Sequence, residues 1–220
     1  MAPDPGSYAD FTLSGFTEAL ASAEPVPGGG SASAVAASIA ASLVVMVARL
    51  SLDRPKYAAF TATHERAIAA GEAARQRFLE LADADAREYS AFTAAMKLPR
   101  ETDEQRATRD SALDVAARAA AGIPLEVVRH CRELLEDVES LAGRSNLNAS
   151  SDLDVAALLG QAAARGAGAN VVINLGSIAD TRESERMLAE LEVHLHQIES
   201  VTAFVHGQVQ SGTLREPEAA

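Results

Sequence analysis

The segment from Ser31 to Leu52 limits the fold of this chain more than any other, because nearly every residue in it is small or aliphatic. Apolar residues would occupy all faces of a helix formed here, which predicts a central, buried helix. Its most apolar part, Ala32–Leu50, contains four Ser or Arg residues. We therefore expect a core helix and do not expect a membrane span.

The composition also favours closely packed helices. Hydrophobic residues make up 48% of the 220 residues, aromatic residues make up only 4%, and there is no Trp. Ala is the best helix former, and its small side chain lets helices approach each other closely. A core with few aromatic rings gains little burial per residue, so we expect a second copy of the chain to complete it in a homodimer.

Charge and cysteine content limit the partners and the compartment. The formal net charge is -12, and nucleic acid is not an expected partner because phosphate binding needs a basic surface. The single cysteine, Cys131, can form neither an intramolecular disulfide nor a thiolate metal cluster, which fits a reducing compartment. The N-terminus lacks the positive start and apolar core of a signal peptide. We expect a cytoplasmic protein.

Apolar residues recur at helical spacing along the whole chain. Gly and Pro residues divide the pattern, and the pairs Gly122 with Pro124 and Gly166 with Gly168 are expected to end helices. Residues 171–175 favour a strand by propensity, but a lone strand would lack a partner, so helix is predicted there. The predicted helices cover residues 8–23, 31–52, 58–96, 101–121, 125–141, 151–165, 170–175 and 180–208.

Two further features complete the fold prediction. Thr102 is expected to cap the helix that begins near residue 101, and the tail from Ser211 is expected to fray. No internal repeat, low-complexity segment or linker divides the chain. We predict a single all-α domain over residues 1–220, a helical bundle with long antiparallel helices.

A glycine-rich loop, Pro27-Gly28-Gly29-Gly30-Ser31, precedes the apolar helix. Glycines directly before a helix leave backbone N–H groups accessible, and the helix N-terminus favours negative charge. The loop could therefore bind a carboxylate, a phosphate or a polar heterocycle. A tight turn that needs positive φ angles explains the three glycines equally well.

Asp85 is the strongest candidate for an acid or base. It shares a helical face with Tyr89, Phe92 and Met96, whereas Asp83, two residues earlier, points to nearly the opposite face. Burial among apolar side chains would raise the pKa of Asp85 towards the range of a general acid or base. An ion pair with an Arg of another helix is the more common explanation of such an Asp.

Other polar residues have less specific explanations. Asn146, Asn148, Ser150, Ser151 and Asp152 form a loop that enters a helix, which turn and cap chemistry usually explains.

Asn170 and Asn174 lie one helical turn apart in an apolar segment, and buried amides need hydrogen bonds from backbone or ligand. His194 and His196 have the wrong spacing to bind one metal ion. No metal site is predicted.

The order of these features resembles the cyclodeaminase/cyclohydrolase family of folate one-carbon enzymes. Its members are the formimidoyltetrahydrofolate cyclodeaminase half of formiminotransferase-cyclodeaminase and the bacterial methenyltetrahydrofolate cyclohydrolases. The longest matching stretch, LADADAREYSAFTAAMKLPRET, is also the most specific. The others are PGGGSASA, Lys56-Tyr57, Ile123-Pro124-Leu125, NLNASSDLDVAA and GANVVINLGSIAD.

The resemblance implies an all-helical subunit that forms a dimer, with a folate site near the pairing surface. It implies a tetrahydrofolate derivative as substrate and no bound metal or redox cofactor. Asp85 falls on the family's acid position and is expected to be catalytic. The residues that the resemblance assigns to substrate binding are Pro27, Gly28, Gly29, Gly30, Ser31, Lys56, Tyr89, Asn146, Asn148, Ser151, Asp152, Asn170 and Asn174.

Three positions depart from the family pattern. The chain reads Leu52-Asp53-Arg54-Pro55-Lys56-Tyr57, where relatives usually have a Gly and a run of Lys or Arg before the Tyr. Tyr89 replaces a more usual Phe, and Arg100 a more usual Lys. The first departure bears on affinity for the folate tail.

The resemblance leaves two activities open. A cyclohydrolase adds water to 5,10-methenyltetrahydrofolate, and a cyclodeaminase closes the ring of 5-formimidoyltetrahydrofolate and releases ammonia. Both pass through a tetrahedral carbon between the same two nitrogens, and one carboxyl acid/base could serve either reaction. The absence of a fused formiminotransferase domain favours the cyclohydrolase slightly. A non-catalytic folate-binding or helical interaction protein of the same fold is the alternative.

Overall fold

The computed structural model describes residues 6–217, which form six α-helices and three short 3₁₀ turns. The described residues contain no strand, and the prediction of an all-α helical bundle is confirmed. The single-domain prediction stays a prediction, and it also covers residues 1–5 and 218–220, which lie outside the described part. The helices are α1 (Leu13–Leu20), α2 (Gly29–Ser51), α3 (Thr61–Met96), α4 (Asp103–Leu141), α5 (Ser150–Leu175) and α6 (Thr181–Ser211).

Helix α2 is the central element, as its uniformly apolar sequence predicts. It packs mainly against α3 and α5, and α4 packs against the same two helices. Its small residues permit close contact: Ala34, Ala37 and Ala41 are completely buried. By length and composition α2 could also span a membrane, with a mean hydropathy of 2.0 over its most apolar window, but 56% of that window is buried inside the protein. This burial is what a core helix shows.

Helix α4 is a single helix from Asp103 to Leu141, and the prediction of a break at Gly122 and Pro124 is wrong. Proline inside a helix removes one backbone hydrogen bond and usually costs about 3 kcal/mol or more. Here the carbonyl of Ala120, which Pro124 cannot bond, accepts a hydrogen bond of 2.8 Å from the side-chain amide of Asn174. A neighbouring helix therefore replaces the lost bond. Thr102 caps α4 as predicted, within a capping box with Gln105.

Helix α5 is also continuous, and the predicted interruption at Gly166 and Gly168 is wrong. A Cβ atom on Gly166 would overlap the hydroxyl of Ser33 on α2. Gly166 therefore allows α2 and α5 to pack closely and does not terminate α5. The segment 170–175 accordingly continues as helix.

The ends of the described chain differ from the prediction in two ways. The first predicted helix is a 3₁₀ turn, Tyr8–Asp10, followed by the short helix α1. Residues 212–217 of the tail make hydrogen bonds to the loop before α5, where fraying was predicted, and residues 218–220 lie outside the described part. The N–H of Arg215 donates to the carbonyl of Gly143 at 2.7 Å, and Nε of Arg144 donates to the carbonyl of Glu216 at 2.7 Å. The tail thus crosses the loop between α4 and α5.

Candidate active site

A cavity of about 390 Å³ lies where the start of α2 meets the C-terminal third of α3, the middle of α4 and the end of α5. Seven of the residues predicted for the site line it together: Gly28, Gly29, Gly30, Asp85, Tyr89, Asn170 and Asn174. The remaining lining residues are Pro25, Val26, Glu88, Phe92, Ala120, Ile123 and Ile173.

Asp85 lies against the N-terminal end of α2. The hydroxyl of Ser31 donates to Oδ2 of Asp85 at 2.9 Å, and Ser31 itself is completely buried behind the carboxylate. Gly30 makes this approach possible, because a Cβ atom at residue 30 would lie 2.5 Å from Cγ of Asp85. Gly30 therefore leaves room for the side chain of Asp85. The sequence suggested either a ligand-binding loop or a tight turn, and neither interpretation includes this role.

The environment of Asp85 suits an acid/base. Burial raises the pKa of Asp85 above its usual range, and the hydroxyl and N–H of Ser31 oppose that shift only in part. In the part of the chain that the structure describes, Asp85 forms no salt bridge. The ion-pair explanation is therefore wrong, and the carboxyl group is available for proton exchange.

Asp83 faces away from Asp85, as the two-residue spacing predicts, and has a structural role. Its carboxylate accepts hydrogen bonds from the Ser7 hydroxyl at 2.6 Å and the Tyr8 N–H at 2.8 Å. It thereby fixes the 3₁₀ turn at the start of the described chain to α3. The two carboxylates do not form a catalytic pair.

The backbone at the start of α2 offers hydrogen-bond donors to the cavity. The N–H groups of Gly29 and Gly30 belong to the first helical turn, where no carbonyl lies one turn earlier to accept them. Neither has a partner among residues 6–217. A ligand with a carbonyl or imine acceptor could bind there, helped by the positive end of the helix dipole.

Asn170 and Asn174 bring their side-chain amides to the opposite wall. Nδ2 of Asn170 donates to the carbonyl of Gly166 at 3.0 Å, and Nδ2 of Asn174 donates to the carbonyl of Ala120 at 2.8 Å. Each NH₂ group thus gives one of its two N–H bonds to backbone, which fixes the orientation of the amide. The amide oxygens remain as acceptors on this wall.

Sequence reasoning did not identify Glu88 as a site residue. It follows Asp85 by three positions on α3, so the two side chains share a helical face, and both line the cavity. The i, i+3 spacing is the signal that could have identified it. No Lys, Arg or His belongs to the described lining, so the cavity has an acidic character. It suits a cationic or amide-rich ligand better than an anionic one.

Phe92 and Ile123 form apolar walls beside these polar groups. Phe92 was identified from the sequence as sharing a face with Asp85, and Met96, on the same stripe, does not line the cavity. A flat ring could pack between such side chains while its polar edge meets the asparagine oxygens. The described residues contain no group of three His, Cys, Asp or Glu side chains that could hold a metal ion.

The other predicted binding residues lie elsewhere. Nδ2 of Asn146 donates to the carbonyl of Leu50 at 3.3 Å, and its N–H donates to the hydroxyl of Ser51 at 2.8 Å. These contacts place the loop 146–152 at the far end of α2, about 34 Å from the glycine loop at 1.5 Å per residue. Lys56 lies at the same end, with its ammonium group over the ring of Tyr57, whose hydroxyl accepts the N–H of Leu147.

We call these residues at the far end of α2 the distal polar group. They are Lys56, Asn146, Asn148, Ser151 and Asp152. Pro27 and Ser31 are buried beside the cavity and do not line it. The structure therefore divides the predicted binding residues into two sets, one at each end of α2.

The altered segment near Lys56 has a structural explanation. Asp53 has a φ angle of 59°, in the left-handed region that favours Gly. Asp tolerates this region better than most residues do. The chain therefore keeps, at Asp53, a backbone shape for which glycine is the usual residue.

Comparisons with known proteins identify the family of the chain. The sequence model of the formiminotransferase-cyclodeaminase family matches residues 12–193. A methenyltetrahydrofolate cyclohydrolase from Methylorubrum extorquens is 33% identical over 91% of this chain and 96% of its own length. The formimidoyltransferase-cyclodeaminase of Mus musculus is also 33% identical, over 96% of this chain, which spans 40% of that longer protein.

A solved structure of a family member has the same fold as this chain. The formiminotetrahydrofolate cyclodeaminase of Thermotoga maritima superposes with a TM-score of 0.84 at 30% identity, covering 92% of this chain and 98% of the other. The family model covers most of the chain, and relatives of matching length share its sequence and its fold. The chain is therefore a member of the formiminotransferase-cyclodeaminase family.

Proposed function

We propose that the protein is an enzyme of folate one-carbon metabolism that acts on the carbon bridging N5 and N10 of tetrahydrofolate, with Asp85 as its acid/base. The observation that carries the proposal is Asp85 itself: a carboxyl group with raised pKa and no cation beside it, facing a cavity lined by backbone donors and amide acceptors. The activities named for its relatives, cyclohydrolase and cyclodeaminase, both require proton transfer at this carbon.

The charge of the substrate fits the charge of the cavity. The methenyl carbon is bonded to two nitrogens as an amidinium cation, and a formimino group is likewise cationic when protonated. A cavity that contains Asp85 and Glu88 and no described cation favours such a centre. The glutamate tail of the folate carries negative charge and is expected to extend out of the cavity into solvent.

Asp85 can move the proton that either reaction needs. In hydrolysis, the carboxylate takes a proton from water as the water oxygen bonds to the methenyl carbon. The carboxylic acid then protonates N5 as the bond between N5 and that carbon breaks, and the hydroxyl on the carbon releases its proton to water as the formyl C=O forms. The product is 10-formyltetrahydrofolate. Acid/base help of this kind typically contributes about 10²–10⁴-fold to the rate. The scheme requires no metal and no redox cofactor.

Hydrolysis of 5,10-methenyltetrahydrofolate is the first candidate activity, because the relative of matching length from Methylorubrum extorquens carries that name. Cyclodeaminase activity is the second, because the Thermotoga maritima structure of matching length carries that one. Purified protein is given each substrate separately, and absorbance of the methenyl compound and release of ammonia are followed. Loss of the methenyl absorbance without ammonia supports the first, and ammonia release from the formimino compound supports the second.

A non-catalytic folate-binding protein is the competing function. It would bind tetrahydrofolate derivatives and accelerate neither reaction above the buffer rate. Asp85 supports catalysis, since burial raises its pKa towards the range of a general acid or base.

A homodimer is part of the proposal. The side of α2 that its neighbours leave open carries Ile39 and Met46, 46% and 36% exposed, and the adjoining α5 exposes Val155 and Leu158, 46% and 50%. Apolar side chains that continue across two packed helices favour contact with another protein surface.

The division of the binding residues favours a second copy as that partner. If two α2 helices pack antiparallel across a two-fold axis near Ile39, the glycine loop of one subunit lies beside the distal polar group of the other. Lys56 from the partner would then supply the cation that the cavity lacks, at the end where the folate tail leaves. Both sets of predicted binding residues would thus contribute to one site.

The expected cytoplasmic location also stays a prediction. Cys131 is buried and free, and burial raises the pKa of its thiol. The neutral thiol is a poor nucleophile, so the proposed chemistry does not involve it.

A further inference from the structure

Pro124 leaves one backbone carbonyl of α4 without its helical partner. In an unbroken helix the carbonyl of Ala120 would accept the N–H of residue 124, but proline has no N–H. Ala120 lines the cavity, and Pro124 lies buried one turn further along the helix. The proline thus creates a hydrogen-bond acceptor in the cavity wall.

Asn174 donates a hydrogen bond to this carbonyl. Its Nδ2 lies 2.8 Å from the carbonyl oxygen of Ala120. A carbonyl oxygen can only accept a hydrogen bond, so the amide atom that faces it must be the NH₂ group. Oδ1 of Asn174 must then point away from Ala120. It has no partner among the described residues and is not buried.

The orientation of an asparagine amide decides what it recognises. A free asparagine side chain can rotate by 180° and present either a donor or an acceptor to a ligand. Asn174 has lost this choice, because rotation would bring its oxygen against the oxygen of Ala120 and leave both without a donor. Such an arrangement is costly at a partly buried site.

We propose that Pro124 is a positioning residue that fixes Asn174 with its oxygen towards the substrate, so that Asn174 recognises an N–H donor on the edge of the pterin ring. The inference rests on the proposed folate substrate. The pterin carries such donors at N3 and at its 2-amino group. A ring with acceptors at those positions would meet the oxygen of Asn174 unfavourably.

Three variants test the role of Pro124. In Pro124→Ala the new N–H bonds the Ala120 carbonyl and competes with Asn174. Asn174→Leu removes the amide altogether. Gly122→Ala is the matched control on the same helix, because its new methyl group meets open space and leaves the Ala120 carbonyl unchanged. Binding of tetrahydrofolate and the kinetics with the methenyl compound are measured for each, together with the unfolding midpoint.

We expect Pro124→Ala to raise KM and the tetrahydrofolate Kd by about 2- to 5-fold and Asn174→Leu by about tenfold, the range of one hydrogen bond. The value of kcat should change less, because Asp85 is not touched. Gly122→Ala should leave Kd and KM unchanged. The unfolding midpoint of Pro124→Ala should not fall, which separates a positioning role from a structural one.

Pterin analogues test which polarity Asn174 recognises. The 2-desamino-2-methyl analogue lacks the 2-amino donor group, and the 3-methyl analogue lacks the N3–H donor. At least one should bind wild type more weakly than the parent compound, and the same difference should disappear in Asn174→Leu. Equal discrimination by wild type and Asn174→Leu, or unchanged Kd and KM in Pro124→Ala, would overturn the inference. If wild type binds no tetrahydrofolate derivative, the proposed function fails together with it.

Discussion

Gly30 and Asp85 fit together only because Gly30 has no side chain: a Cβ atom at residue 30 would lie 2.5 Å from Cγ of Asp85. The neighbouring Ser31 then donates its hydroxyl to the same carboxylate at 2.9 Å. The glycine loop therefore positions the acid/base of the proposed reaction as well as offering backbone N–H groups to a ligand.

Gly30→Ala is expected to displace Asp85 and reduce turnover by about 10²-fold or more, the contribution typical of one acid/base. Helical content should stay nearly unchanged, because Ala favours a helix more than Gly does. Circular dichroism and steady-state rates measure the two effects. Gly122→Ala, with open space around its methyl group, is the control and should keep full activity. An active Gly30→Ala protein would show that Asp85 does not need this approach.

Asp85→Asn is expected to reduce turnover by about two to four powers of ten with a smaller change in folate affinity. Because no described cation pairs with Asp85, the substitution leaves no unpaired charge behind. The unfolding midpoint at neutral pH should therefore stay equal to that of wild type or rise. A variant that is less stable and still fully active would remove Asp85 from the mechanism.

The stability of wild type should depend on pH through the same group. Burial raises the pKa of Asp85 in the folded protein, so the folded state binds more protons than the unfolded state between the two pKa values. Stability is therefore greatest below the unfolded pKa and declines as pH rises through the folded pKa. The difference in unfolding free energy between wild type and Asp85→Asn, measured from pH 4 to pH 8, should change in this direction. A difference independent of pH would contradict the shift.

The sequence predicted several of the residues that meet at the cavity better than it predicted the boundaries of the helices. Asp85, Asn170 and Asn174 could be identified because polar side chains stand out on apolar stripes. The continuity of α4 could not be predicted, since the partner that satisfies the Ala120 carbonyl lies 54 residues later in the chain. The same limit applies at Gly166, whose small size is explained only by its contact with Ser33 on another helix.

Ile39→Glu is expected to prevent the proposed dimer, because it places a charge in the middle of the exposed apolar side of α2. Light scattering should give twice 22.9 kDa for wild type and 22.9 kDa for the variant. Val193→Glu, at a 55% exposed position on α6, is the matched control and should stay dimeric. A wild-type mass of one chain at micromolar concentration would contradict the dimer.

Asp53→Gly is expected to raise the free energy of unfolding by about 0.5–1 kcal/mol, because the left-handed conformation costs a residue with a Cβ roughly 1–2 kcal/mol and glycine much less. Activity should stay unchanged if the segment's shape alone matters. Chemical denaturation measures the gain. A loss of stability would mean that the carboxylate of Asp53 makes a favourable contribution that exceeds its backbone cost.

The contact between Asn174 and the Ala120 carbonyl has an evolutionary consequence. In relatives where residue 124 is not proline, the helix satisfies that carbonyl by itself and selection no longer ties the orientation of the asparagine to it. Residues 124 and 174 should therefore change together across the family, although 50 positions separate them in the sequence. Substituting one alone alters the specificity of the cavity, so a lineage that acquires a new pterin-like substrate is expected to carry replacements at both.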